Sequence, residues 1–183
     1  MSALWVFVPV LGAAVLHAPV LTFDLFRSLK RPLDIGATFR GRRLFGDNKT
    51  WRGALFMASG TALAAVVLTR WPAFRDALPD AVADASPVLW GALVGLGVVV
   101  GELPNSFLKR RLDIAPGTQL RTARGLALIV FDQADLVPGV WLFLAPVYVL
   151  PVATAAVAFA AVTAVHLVIN LIGYAIGARS SPL

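Results

Sequence analysis

Apolar residues run almost unbroken through five stretches of this chain, and the polar residues gather between those stretches instead of alternating with them. At ~1.5 Å of rise per residue, about twenty helical residues cross the ~30 Å hydrocarbon core of a bilayer. The runs over residues 3–22, 51–69, 88–108, 126–150 and 152–176 are all close to that length. The pattern predicts an all-α, polytopic membrane protein with about five transmembrane helices in a single domain over residues 1–183. Pro9 and Pro19 are expected to kink the first helix. No basic stretch precedes Leu4, so this run reads as a span and not as a cleaved leader.

The segments between the runs differ in kind. Residues 23–50 carry Arg27, Lys30, Arg31, Arg40, Arg42, Arg43 and Lys49 against Asp24, Asp34 and Asp47, with Gly36, Gly41 and Gly46 among them. A basic, turn-rich loop is expected there. Residues 109–125 predict a second basic loop, holding Lys109, Arg110, Arg111, Arg121 and Arg124, while residues 70–87 predict a short polar loop with Asp76, Asp80 and Asp84. Fourteen of the sixteen Lys and Arg residues lie in or beside the two basic loops and the C-terminal tail. The positive-inside rule therefore puts the N-terminus outside and both basic loops, with the C-terminus, in the cytoplasm.

Composition sharpens this picture. With 58% hydrophobic and only 14% charged residues, the chain is excluded from the ordinary soluble class. It has no cysteine, so any metal must use oxygen or histidine ligands, which favours magnesium over zinc. The net charge of +6 sits in blocks beside apolar spans, pointing to anionic headgroups or phosphorylated ligands and not to nucleic acid.

Two groups of polar residues fall where they are costly. Glu102, Asn105, Ser106 and Lys109 stand at i, i+3, i+4 and i+7 and share one helix face. Asp132 and Asp135 share another, about one and a half to two and a half turns inside a helix starting near Leu126. A charge at mid-bilayer costs about 2.5–3.5 kcal/mol on insertion scales, which makes function the first hypothesis. A magnesium site suits the paired aspartates, since a hard cation takes carboxylate and phosphate oxygens. Ion pairs with loop arginines, and interhelical hydrogen bonds from Asn105 and Ser106, are the structural alternatives. The run from Phe45 to Gly53 is superficially like a phosphate loop, but it lacks the P-loop spacing and no strand is expected before it. Its glycines would let backbone amides approach a phosphate, and Lys49 and Arg52 flank a helix N-terminus that favours anions. His17 is expected to be a helix-packing residue, and His166, Asn170 and Tyr174 a helix-contact stripe.

The continuous run Arg31-Pro-Leu-Asp-Ile-Gly-Ala-Thr-Phe-Arg-Gly-Arg-Arg-Leu-Phe-Gly-Asp-Asn-Lys-Thr-Trp-Arg-Gly53, then Asn105-Ser-Phe-Leu-Lys-Arg-Arg111, then Phe131-Asp-Gln-Ala-Asp135 resembles the CDP-archaeol synthases, small relatives of the CDP-diacylglycerol synthases. The resemblance implies a CTP-dependent cytidylyltransferase: a lipid phosphate attacks the α-phosphorus of CTP, pyrophosphate leaves, and a CDP-lipid forms. It implies Mg2+ held by Asp132 and Asp135, with Lys109 and Arg110 joining them as catalytic residues. Gly46, Asp47, Asn48, Lys49, Arg52, Asn105, Ser106 and Arg111 would bind substrate. The expected partners are CTP, an isoprenoid ether-glycerol phosphate or related lipid, and membrane lipids, with no nucleic acid and no protein partner. The expected location is the plasma membrane, with the site facing the cytoplasm. A small ion- or proton-coupled transporter with a buried acidic relay is the alternative, although no repeat of the kind transporters use is present.

Overall fold

The structure, a computed structural model, describes residues 2–114 and 135–175. After one 3₁₀ stretch over Ser2–Phe7, the chain forms α1 (Val8–Thr22) and crosses a loop lobe to α2 (Trp51–Leu68). Two short helices, α3 (Pro72–Asp76) and α4 (Asp80–Ala83), lead to the long α5 (Pro87–Arg111). Beyond it come α6 (Leu136–Leu144) and α7 (Val152–Ala175). Among the described residues three helices are long and apolar enough to cross a membrane: Ser2–Thr22, Trp51–Leu68 and Pro87–Arg111.

Helix α5 is the axis of the bundle. Its glycines fall in two rows, each spaced by four residues, so that each row forms a strip without side chains. A Cβ on Gly91 would lie 2.7 Å from Ala62 Cα, and one on Gly95 2.6 Å from the Met57 carbonyl oxygen, so this row takes α2. The other row takes α6: a Cβ on Gly97 would meet Val140 Cα at 2.6 Å, and one on Gly101 the Asp135 carbonyl oxygen at 2.5 Å. Such small residues let helices meet backbone to backbone, which is how association is won in lipid, where burial of apolar surface drives little. Trp90, Val94, Val98, Leu136, Val140 and Leu144 fill the space between these contacts. On the far side of α2, Gly60 packs on Ala13 of α1.

Several elements differ from their sequence expectation. The segment 70–87 is not a plain polar loop: Phe74, Leu78 and Val82, four residues apart, turn one side of α3 and α4 into the core. Helix α5 runs to Arg111, so Lys109, Arg110 and Arg111 belong to its last turn and not to the expected loop 109–125. Cations there complement the helix dipole. A Schellman motif stops the helix immediately afterwards: Asp113 takes φ 57°, its N–H donates to Arg110 O, and Ile114 N donates to Lys109 O at 3.0 Å. In the described part of the expected span 126–150, residues 135–150, the helix is the nine-residue α6, with Asp135 in the turn before it and not inside a helix.

The loop 23–50 also has more structure than turns. Thr38–Phe39 pairs antiparallel with Arg42–Arg43, and Arg40 and Gly41, both at positive φ, make the two-residue turn that such hairpins prefer. A short strand thus does precede the Phe45–Gly53 run. At the base of the lobe, Leu33 N donates to Lys49 O at 2.7 Å and Trp51 N to Arg31 O at 2.9 Å, which closes the neck.

Candidate active site

The lobe is built around one carboxylate. Asp34, whose side chain has 0% exposure, accepts the N–H groups of Gly36 (3.2 Å), Phe45 (3.0 Å) and Gly46 (3.2 Å) and the Arg43 guanidinium at 2.5 Å. Arg43 also reaches Asp47 at 2.8 Å. Burial pushes the Asp34 carboxyl up, but Arg43 and the three backbone donors outweigh it, so the group is held well below the usual carboxylate range. The chain then enters α2 through Thr50, whose hydroxyl caps the helix by accepting Gly53 N at 3.1 Å.

Helix α5 carries the lobe on its last two turns. The hairpin is fastened by Arg111, which donates to the carbonyl oxygens of Phe39, Arg42 (2.9 Å) and Arg43 (2.6 Å), its guanidinium lying 5.6 Å from the Phe39 ring centre and 4.8 Å from that of Phe107. Arg42 reaches back to Arg111 O and pairs with Asp113 at 2.5 Å.

The polar face of α5 follows from the same rows that pack its neighbours. Asn105 continues the Gly97–Gly101 row by one step, so it meets the start of α6 and donates from Nδ2 to Asp135 Oδ2 at 3.3 Å. Glu102 stands seven residues after Gly95, on the side facing α2, and pairs with Lys49, which lies just before that helix. Two segments remote in sequence, one on each side of α5, thereby converge on successive turns of it. Ser106 is buried and Lys109 half-buried on the same face. Arg110 Nε is buried and finds no acceptor among the described residues.

The residues expected to form the site are thus distributed as follows. Lys49, Asn105, Ser106, Lys109, Arg110 and Asp135 gather around the end of α5, whereas Asp132 lies outside the described residues. Gly46 is buried at φ 94°, while Asp47 and Asn48 are exposed on the lobe surface. Arg52 and Arg111 bond to other parts of the protein. Buried Arg52 donates to Asp24 at 2.7 Å and to Leu25 O at 2.8 Å, tying the end of α1 to the start of α2. Arg52 and Lys30 together bring Asp24 down to about 2. His17 packs as expected, stacked on Phe56 at 6.0 Å, although its Nε2 finds no acceptor among the described residues. The side chains of His166, Asn170 and Tyr174 lie outside the described residues.

Asp34 and Glu102 were the residues that motif reading left without a role. The signal for Asp34 was its position two residues before Gly36 at the opening of a glycine-spaced run, where Asp often accepts a backbone N–H two residues on. For a metal, Asp135 offers a hard carboxylate oredered by an amide donor, in a chain without thiols. Among the described residues no three Asp, Glu or His side chains cluster.

Comparison with known proteins bears on this arrangement directly. A family model described as CarS-like, CDP-archaeol synthase, matches residues 3–183. The CDP-archaeol synthase of Halobacterium salinarum is 40% identical over 162 residues, covering 83% of each chain. That of Thermococcus onnurineus is 33% identical over 184 residues, covering 99% of this chain and 97% of the relative. A solved structure of an intramembrane enzyme for archaeal membrane lipid biosynthesis aligns with a TM-score of 0.62 at 27% identity, covering 91% of each chain.

Proposed function

The chain belongs to the CDP-archaeol synthase family, and on that premise we propose that the end of α5, the lobe and Asp135 form its nucleotidyl-transfer site. The protein is a membrane-embedded, multi-pass cytidylyltransferase that uses CTP to convert a lipid phosphate to a CDP-lipid, releasing pyrophosphate. The family replaces the ion-relay alternative.

Both reactants are anionic, so the protein's task is to gather positive charge on the transferring and leaving phosphates and to hold them in line. In this reading Lys109 and Arg110 supply that charge at the end of α5, and Lys49 supplies it from the neck of the lobe. Asn105 orients the Asp135 carboxylate. Asp135, with Asp132, holds Mg2+; when bound, the ion offsets phosphate charge that the cations leave uncompensated. The observation that carries the proposal is the double convergence on α5, Lys49 with Glu102 and Asp135 with Asn105.

The topology belongs to the same proposal: five spans, N-terminus outside, and the lobe in the cytoplasm of the plasma membrane, where CTP is made. The lipid is an isoprenoid ether-glycerol phosphate or a close relative. Purified protein given labelled CTP, Mg2+ and a panel of lipid phosphates is expected to form labelled CDP-lipid and pyrophosphate. Chelation should stop turnover and added Mg2+ restore it. If no substrate in the panel is converted at any Mg2+ concentration, the site reading fails.

A further inference from the structure

Building on that nucleotide-site reading, we propose that Asp34 is a positioning residue for CTP: its buried carboxylate fills an anion nest inside the lobe and thereby presents Gly46–Lys49 to the substrate in a preformed shape. The carboxylate does not touch substrate itself, since its side chain is wholly buried.

Three observations carry this. Gly36 directs its N–H at Asp34 Oδ1, and Phe45 and Gly46 direct theirs at Oδ2, so the carboxylate occupies a concavity of backbone donors of the kind with which proteins commonly bind phosphate. These three amides are consequently committed within the protein. Second, the contact to Gly46 fixes the residue at φ 94° from which Asp47, Asn48 and Lys49 project. Glycine reaches that conformation without strain but has many others open to it, so a contact is what selects it. Third, Arg43 spans from Asp34 at 2.5 Å to Asp47 at 2.8 Å, so the carboxylate controls both ends of the Phe45–Asp47 turn, while the neighbouring Leu33 N–H holds Lys49 O.

A loop that is already shaped loses less freedom when ligand binds, so losing the shape weakens CTP binding more than it slows the chemical step. Asp34→Asn keeps the size of the group but presents it to Arg43 without charge, and its amide has N–H groups where acceptors are needed. At saturating lipid phosphate, the KM for CTP should rise about tenfold or more, with kcat changed by no more than about threefold. Asp34→Ala leaves the nest empty, and added formate, a small carboxylate, should recover part of the lost CTP affinity. Rescue of that kind is not produced by a residue that only fills space. If the Asp34 variants do not fold, Arg43→Gln makes the same test, because it spares the three amide contacts; its KM should rise in the same direction by a smaller factor.

A folded Asp34→Asn protein with wild-type KM for CTP would overturn the inference while leaving the site reading intact. The same holds for an Asp34→Ala loss that falls on kcat alone and is indifferent to formate. Wild-type protein that neither binds nor turns over CTP would remove the site reading and this inference together.

Discussion

Both ends of the bundle carry charged groups, and they use them in opposite ways. At the end of α5, cations and carboxylates are interlocked: Asp34 with Arg43 inside the lobe, and, between segments, Lys49 with Glu102, Arg52 with Asp24, and Arg42 with Asp113. At the other end, Arg70, Arg75, Asp76, Asp80 and Asp84 line an open cleft of about 450 Å³ at α3 and α4, and among the described residues none of them forms an ion pair. Exposed charges in water are worth little to stability and keep their freedom. Charge content alone therefore does not mark a site. What distinguishes the α5 end is that its charges are paired, several of them partly buried or held across elements, which makes those costly to remove and fixes their position.

Breaking this contrast should be hardest at Asp135. Asp135→Asn is expected to lower CDP-lipid turnover by ~100-fold or more, each 1.36 kcal/mol of lost transition-state stabilisation being a factor of ten, with the melting temperature little changed. Near-wild-type turnover in a folded variant would remove Asp135 from the chemistry. A smaller effect is expected where the lobe is fastened. Arg111→Gln gives up charge-assisted bonds to three carbonyls, so trypsin should cut after Arg40 or Arg42 about tenfold faster, with a several-fold loss of activity. An unchanged digestion pattern would show that the hairpin does not depend on Arg111. The least effect belongs to the open cleft. The double change Asp76→Asn with Asp84→Asn should leave turnover within about twofold and stability within about 0.5 kcal/mol of wild type. A tenfold loss there would dissolve the contrast between the two ends.

What could be read in advance follows the range of the interaction responsible. The first two spans, expected at 3–22 and 51–69, occur as Ser2–Thr22 and Trp51–Leu68, because a run of apolar residues is a local property that the membrane itself selects. The meeting of Asn105 with Asp135 was half legible: periodicity put Asn105 on a polar face, but only the glycine row beneath it says that the face turns to α6. Glu102 with Lys49 joins α5 to the neck of the lobe, 53 residues away in sequence, and no local pattern reports it. The hairpin escaped because two-residue strands are too short to show alternation. Phe74, Leu78 and Val82 were hidden among prolines and aspartates that read as loop. Arg52 and Arg111 were expected among the substrate-binding residues; the contacts they make in the structure, to Asp24 and Leu25 O and to three hairpin carbonyls, are long-range and leave no trace in a basic run.

The glycine rows of α5 also bear on how the enzyme comes into being. Synthesis proceeds from the N-terminus, so α5 is made before Asp135. By then α2 is available to cover Gly91 and Gly95, whereas the strip at Gly97 and Gly101 must wait for α6. A nascent chain that ends at Ile114 already owns the lobe, its clamp and the Lys49–Glu102 pair, yet it has no acid opposite Asn105. If Asp135 acts as proposed, activity is a late product of translation, waiting on a nine-residue helix that fills a slot left open for it.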